Sequence, residues 1–91
     1  MNRPELVKAI SEDSGISQKD TNAVINSFVK TVGDALASGD NVKISGFGTF
    51  KRNHYKEHIG RNPKTGKAVN VPDRYAPAFK AGLLLKEAVR N

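Results

Sequence analysis

The chain has 91 residues, which suffice for one small domain, and short chains bury a smaller fraction of their surface on folding than long ones do. It contains no cysteine, which excludes disulfides and cysteine-based zinc sites and suits a reducing cytosol. No apolar stretch resembles a signal peptide or is long enough to cross a bilayer, so we expect neither export nor membrane insertion. Dimerisation is the expected source of additional stability.

Positive charge is concentrated in the second half of the chain. Residues 1–40 contain four Lys or Arg against six Asp or Glu, a net charge of −2, whereas residues 41–91 contain eleven against three, a net charge of +8. The second half is therefore expected to face a polyanion such as nucleic acid or an acidic membrane surface. A solvated basic surface that serves only solubility is the alternative.

A first helix is predicted over residues 3–14. Asn2 and Glu5 have the spacing of a capping box, and Pro4 is tolerated in a first helical turn because the amide that it lacks would have no partner there. Gly15 is a natural end, since glycine readily adopts the positive φ of a helix C-terminus.

A longer second helix is predicted between a capping Ser17 and a terminating Gly39. Its apolar stripe is too wide for the first helix to cover, so another surface must pack on it. The stripe consists of Val24, Ile25, Phe28, Val29, Val32 and Leu36.

From residue 40 the apolar period changes to two, which predicts strands. Val42 and Ile44 precede a tight turn at residues 46–48, and Thr49 and Phe50 follow it. Residues 51–59 are polar and are interpreted as one strand, residues 62–66 as a turn and residues 68–72 as a returning strand. Each strand of this ribbon would contain about twelve residues, and at about 3.3 Å per residue it would be roughly 40 Å long. The ribbon must therefore project from the domain.

The chain is predicted to end with a further strand and a helix. Tyr75 to Phe79 form the strand, in which Pro77 indicates a sheet edge or a strand end. The helix carries Leu84, Leu85, Ala88 and Val89. The predicted order of elements is ααβββα.

Enzyme chemistry finds little support in these residues. His54 and His58 would share one face of a strand, but no third ligand accompanies them, so no metal site is predicted. Residues 60–67 are similar to a phosphate-binding loop, yet five residues rather than four separate the glycines, Ala68 replaces the magnesium-binding Ser or Thr, and the context is a hairpin. We expect no enzyme activity, no cofactor and no small-molecule substrate.

The same turn suits contact with nucleic acid. Arg61, Lys64 and Lys67 place three cations around Pro63, whose rigid ring has no amide hydrogen to leave unsatisfied between base pairs. A turn with solvated lysines is the alternative.

Two segments of the sequence resemble the signature of the HU and integration-host-factor family of bacterial histone-like DNA-binding proteins. These are Gly-Phe-Gly-Thr-Phe at residues 46–50 and Arg-Asn-Pro-Lys-Thr-Gly-Lys at residues 61–67. The opening residues and residues 77–82 with Lys86 are also similar, so the resemblance covers essentially the whole chain. It implies an α+β fold in which a two-helix hairpin base, a three-stranded antiparallel sheet with a long protruding β-ribbon arm and a C-terminal helix form an intertwined homodimer.

The resemblance also implies an organisation and a mechanism. Residues 1–39 would form the helical dimerisation base of a single domain, and residues 40–91 the sheet, the arm at about 51–73 and the last helix. Pro63 of each subunit would insert at a base step as a wedge and bend the duplex. The expected DNA contacts are Arg3, Gly46, Gly48, Arg52, Lys56, His58, Arg61, Asn62, Pro63, Lys64, Thr65, Lys67, Lys80 and Lys86. The expected dimer core is Phe28, Val32, Leu36, Phe47, Phe50 and Phe79.

Three positions depart from the family pattern. Arms of this family typically carry arginine where Tyr55 and His58 stand, and lysine where Leu83 stands. Lys51, Arg52, Lys56 and Lys64 compensate in part. His58 predicts tighter DNA binding at pH 6 than at pH 8, and Leu83 is expected to add core or dimer contact.

The expected function is largely sequence-independent binding and bending of double-stranded DNA through the minor groove, with compaction of the nucleoid in the cytoplasm. A sequence-preferring subunit of a heterodimer, like integration host factor, is the alternative, although Ala81 before Gly82 favours the first reading. Binding to acidic proteins or membrane surfaces is a third possibility.

Overall fold

A computed structural model describes residues 1–90 of the chain. The chain divides into two compact units, Met1–Asp34 and the residues from Ala35 onward. The predicted α+β class is confirmed. The elements are α1 (Arg3–Ser14), α2 (Gln18–Ala37), β1 (Val42–Ile44), β2 (Gly48–Tyr55), β3 (His58–Arg61), β4 (Ala68–Val71), β5 (Arg74–Ala81) and α3 (Leu83–Val89).

The first unit begins with the predicted helix caps. The Glu5 amide donates to Asn2 Oδ1 at 3.1 Å, and α1 ends at Gly15 with φ +78°. The Asp20 amide donates to Ser17 Oγ, also at 3.1 Å, so Ser17 caps the start of α2. The bounds predicted for the first helix are confirmed, because both ends are set by local side-chain chemistry.

The second unit contains an antiparallel sheet of order β1-β2-β5. In the central strand, Phe50 lies opposite Val42 on one side and Phe79 on the other. The Phe79 ring packs between two phenylalanines, with its centroid 4.8 Å from that of Phe50 and 5.3 Å from that of Phe47. Pro77 lies in the edge strand β5, as predicted, where a missing amide hydrogen costs least.

The arm is a second sheet in which β3 pairs with β4. The prediction of one strand over residues 51–59 is wrong, since β2 ends at Tyr55 and β3 begins at His58. Residues 51–55 also belong to the three-stranded sheet, because they pair with β5, which is longer than predicted. His54 and His58 consequently lie in strands of different sheets.

Few apolar side chains are buried within the single chain. Among residues 1–90 the buried hydrophobic residues are Val7 and Leu36, whereas Phe28, Phe47 and Phe79 remain 41–42 % exposed. Val32 and Phe50 are half-buried. No helix in residues 1–90 is both long and apolar enough to span a membrane.

Candidate nucleic-acid interface

The tip of the arm is an ordered turn between β3 and β4. The Asn62 amide donates to the Lys67 carbonyl at 2.9 Å, and the Gly66 amide donates to the Asn62 carbonyl at 2.7 Å. Gly66 has φ +70°, which favours glycine at this position. Pro63 follows Asn62 in this turn and is exposed. The predicted hairpin turn is thus confirmed, and it presents the proline ring to solvent.

Two of the predicted DNA contacts organise this turn. Asn62 Oδ1 accepts the Lys64 amide at 2.9 Å, and Thr65 Oγ1 accepts the Lys67 amide at 3.3 Å. These bonds are typical of Asx and Ser/Thr turns, which hold a loop in one conformation without help from a core. Asn62 and Thr65 therefore shape the backbone from which the two lysines extend.

The cations of the tip are exposed and take no part in the ion pairs of the structure. Over residues 1–90 those pairs are Lys30 with Asp34 and His54 with Asp73. Arg61, Lys64 and Lys67 are all exposed. Their charges are consequently available to phosphate, and no nearby carboxylate has to be displaced first.

The arm strands also expose apolar side chains between these cations. Ile59 in β3 is 77 % exposed, and Val69 in β4, which lies opposite Gly60, is exposed as well. His58 Nδ1 donates to the Lys56 carbonyl at 3.1 Å, because a carbonyl oxygen can only accept.

The sheet adjoining the arm carries a stack of rings and cations that sequence reasoning missed. The Arg52 guanidinium lies 4.1 Å from the Tyr75 ring centroid, and the His54 ring stacks on the same tyrosine at 4.7 Å. On the next pair of the ladder, the Arg74 guanidinium lies 4.9 Å from the Tyr55 ring. Such contacts contribute about 0.5–1 kcal/mol at exposed sites. Tyr55 therefore makes a defined contact at the position where the family pattern has arginine.

Asp73 was also missed, although it makes two hydrogen-bond contacts with the opposite strand of the ribbon. Its Oδ2 lies 3.2 Å from His54 Nε2, and its Oδ1 accepts the backbone amide of Glu57. The bond from Glu57, followed by the contact with His54, lowers the pKa of the Asp73 carboxyl below its usual 3.8. The sequence feature that could have identified Asp73 is an acidic residue directly after a proline at the end of a predicted strand.

Two of the predicted DNA contacts, Gly46 and Gly48, belong to the three-stranded sheet or the turn beside it, and close packing explains why each is glycine. A Cβ on Gly48 would lie 2.6 Å from the Lys80 carbonyl oxygen, and Gly48 is buried in the central strand. Gly46 has φ +83°, and a Cβ there would lie 2.9 Å from a methyl carbon of Leu84. Both glycines are thus required by the fold itself, whether or not a phosphate approaches them.

A shallow cleft of about 190 Å³ lies beside these glycines. Lys43 and Lys80 line it together with Thr49, so the cleft is positively charged and has a hydroxyl group. Lys43 was not among the predicted contacts. Lys86 is exposed in the last turn of α3.

Arg3, in the first unit, is held by two asparagines of α2. Its Nε donates to Asn22 Oδ1 at 3.1 Å, and one Nη donates to Asn26 Oδ1. The guanidinium is therefore fixed in place, although its asparagine partners leave its charge uncompensated. Arg52 is likewise engaged, since in addition to its stacking it donates to the Ala37 carbonyl at 3.4 Å.

The sequence matches, over residues 1–90, the model of a protein family described as bacterial DNA-binding protein. The chain belongs to this family. It is 42 % identical over 89 residues to DNA-binding protein HU 1 of Bacillus subtilis, a match that covers 98 % of this chain and 97 % of the relative.

Two solved structures have the same fold. The Anabaena HU–DNA cocrystal structure superposes with a TM-score of 0.88 at 40 % identity, covering 98 % of this chain and 97 % of the other. HU from Thermotoga maritima superposes with a TM-score of 0.69 at 29 % identity, covering 99 % and 100 %. The family resemblance inferred from residues 46–50 and 61–67 is thereby confirmed.

Proposed function

We propose that this protein binds double-stranded DNA as a homodimer and bends it, with the two arms in the minor groove. The observation that carries the proposal is the tip of the arm, where an ordered turn presents an exposed Pro63 among three exposed cations. Membership of a bacterial DNA-binding family and similarity to an HU that was crystallised with DNA support it. Nucleoid association and compaction follow from binding of this kind.

The homodimer accounts for the apolar surface that one chain leaves exposed. Phe47 and Phe79 pack on each other but stay about two-fifths exposed, and Val24 and Val29 on α2 are more than half exposed. A second copy that covers these side chains would add about 25 cal/mol for each Å² of apolar surface removed from water. Phe28, Val32 and Phe50 complete the proposed shared core, whereas Leu36 is already buried within its own chain.

In the proposed mechanism, the cations of the arm tip provide affinity and the Pro63 ring provides the bend. Arg61, Lys64 and Lys67 neutralise phosphates and release counterions, which provides affinity without reading sequence. Pro63 presses against a base step, and its ring buries no unsatisfied donor. Separating two stacked base pairs costs a few kcal/mol per step, which is a general value for proteins with minor-groove wedges, including this family. The larger protein–DNA contact that bent DNA allows offsets this cost. Lys43, Lys80 and Lys86 are proposed to hold flanking phosphates.

The dependence of affinity on salt tests the electrostatic part. Fluorescence anisotropy with a labelled duplex should show affinity falling by orders of magnitude between about 50 and 200 mM salt, with little dependence on sequence. Native mass spectrometry of the purified chain should give twice the 9.9 kDa of one chain without DNA, and that mass plus the mass of the duplex with DNA. A monomer that binds DNA only with a second, different chain would instead support the heterodimer alternative.

The bend tests the role of Pro63. A duplex with fluorophores at both ends should bend less with Pro63→Ala than with the unaltered protein, while its affinity falls by a smaller factor. Pro4→Ala is the matched control, because Pro4 lies in the first turn of α1 and its amide position needs no partner. An unchanged bend angle with Pro63→Ala would remove the wedge from the mechanism.

A further inference from the structure

The arm and the three-stranded sheet are parts of one ribbon that opens at a joint. The last pair of the β2–β5 ladder is Tyr55 with Arg74, and the first pair of the β3–β4 ladder is His58 with Val71. Two residues on each strand separate these pairs, so the register is the same on both sides. We call residues 56, 57, 72 and 73 the joint.

Neither ladder includes the residues of the joint. In the register of the ribbon, Glu57 stands opposite Pro72 and Lys56 opposite Asp73, and Pro72 has no amide hydrogen to contribute to a ladder bond. A two-stranded ribbon without ladder bonds has only its side chains to hold its two halves in line. The bonds made by Asp73 therefore determine how freely the arm moves.

We propose that Asp73 is a positioning residue that closes this joint and so sets how firmly the arm tip is presented to DNA. One carboxylate makes two cross-strand bonds. Oδ1 accepts the Glu57 amide within the joint, and Oδ2 contacts His54 Nε2 at 3.2 Å on the sheet side. The first of these bonds connects the two strands within the joint, which neither ladder includes.

The sheet side of this clamp is itself held in place. The His54 ring stacks on Tyr75 with 23° between the ring planes, and the Arg52 guanidinium covers the same tyrosine. The groups that contact the carboxylate are thus the imidazole of His54 and the amide of Glu57, and Tyr75 holds the imidazole in turn. Pairing with Glu57 and His54 also keeps the pKa of Asp73 low, so the carboxylate stays ionised near neutral pH.

The clamp is exposed enough to open and close. The side chains of His54 and Asp73 are 38 % and 59 % exposed, and ion pairs of this exposure contribute little to stability. The expected consequence of losing Asp73 is a looser arm on an intact fold. A looser arm must be ordered when it binds, which reduces the binding energy left over for bending.

The first test needs no DNA, so it stands whether or not the proposed function does. Backbone ¹⁵N relaxation of the intact protein should show lower order parameters for β3 and β4 in Asp73→Ala than in the unaltered protein, with the three-stranded sheet unchanged. Exchange of the Glu57 amide hydrogen should become about tenfold faster, because a charge-assisted bond is lost. Unchanged arm order parameters and unchanged Glu57 exchange would overturn the proposal.

Glu57→Ala is the matched control. It removes one negative charge at the same joint but keeps the backbone amide that Asp73 accepts, so arm order should stay as in the unaltered protein. Asp73→Asn retains an acceptor for that amide and should loosen the arm less than Asp73→Ala. If Asp73→Ala fails to fold, Asp73→Asn and His54→Ala carry the test, and normal arm order in both would overturn the proposal.

The second test rests on the proposed function. Removing either acid favours DNA binding through charge, because each variant gains one unit of positive charge, but Asp73→Ala should gain less affinity than Glu57→Ala because its looser arm must be ordered on binding. Only Asp73→Ala should reduce or broaden the bend of an end-labelled duplex. Equal bends for Asp73→Ala and Glu57→Ala would mean that Asp73 acts through charge alone.

Discussion

The Arg52 guanidinium lies against the Tyr75 ring, 4.1 Å from its centroid, while donating to the Ala37 carbonyl. Arg52 follows directly on the Gly-Phe-Gly-Thr-Phe-Lys run, and its charge alone suggested a DNA contact. Its place in the sheet shows a cation that is already engaged with groups of its own chain. The exposed Arg61 at the end of β3 has no such partners among the ring and ion-pair contacts found in residues 1–90.

Arg52→Gln and Arg61→Gln remove the same charge and are expected to have different effects. Arg61→Gln should lower the affinity for DNA and reduce the slope of log affinity against log salt concentration by about one, the value for one phosphate contact. Arg52→Gln should change both the affinity and the slope less. Anisotropy titrations over a range of salt concentrations measure the slopes. An equal reduction in slope for the two variants would contradict this difference.

Phe79→Ala should destabilise the protein by about 3–5 kcal/mol, because its ring packs on both Phe47 and Phe50 and is proposed to be covered by a second copy. Urea unfolding at two protein concentrations measures the effect, and the midpoint should rise with concentration as it does for a folded dimer. Ile59→Ala is the control, since an apolar side chain that is 77 % exposed should change the free energy of unfolding by less than about 0.5 kcal/mol. Similar losses in both variants would argue against a core role for Phe79.

DNA binding should be tighter at pH 6 than at pH 8 because of His58. His58 is exposed at the start of β3, and an imidazolium near phosphate is favoured. His58→Gln should reduce the ratio of the two affinities, and His54→Gln should not. The same ratio in His58→Gln and the unaltered protein would show that another group is responsible.

The contribution of Asp73 to stability should depend on pH in a defined direction. Its pKa in the folded protein lies below the usual 3.8, so the folded state favours the ionised form. The stabilisation is present above the unfolded pKa and is lost as the pH falls through the folded value. Urea midpoints of Asp73→Asn and the unaltered protein should therefore differ more at about pH 7 than at about pH 2. A constant difference at both pH values would exclude this linkage.

Local chemistry made much of the fold predictable from the sequence. The bounds of α1 follow from Asn2 and Gly15, and the edge position of β5 follows from Pro77, because each residue acts on its immediate backbone. The arm tip was predictable for the same reason, since Asn62 and Gly66 determine the turn within six residues. The gap at residues 56 and 57 was not, because it depends on how the two strands of the ribbon pair with each other.

What the sequence determined by itself was thus the helices, the basic second half and the proline-bearing turn at the tip of the arm, all of which arise from neighbouring residues or from composition. Only the tertiary structure decided which of the cations are engaged and where the ribbon opens. Arg52 with Tyr75, and Asp73 with His54 and Glu57, are separated by sixteen to twenty-three residues and meet only through the register of two strands. Strand pairing brings such groups together, and no local pattern records which partners it will select.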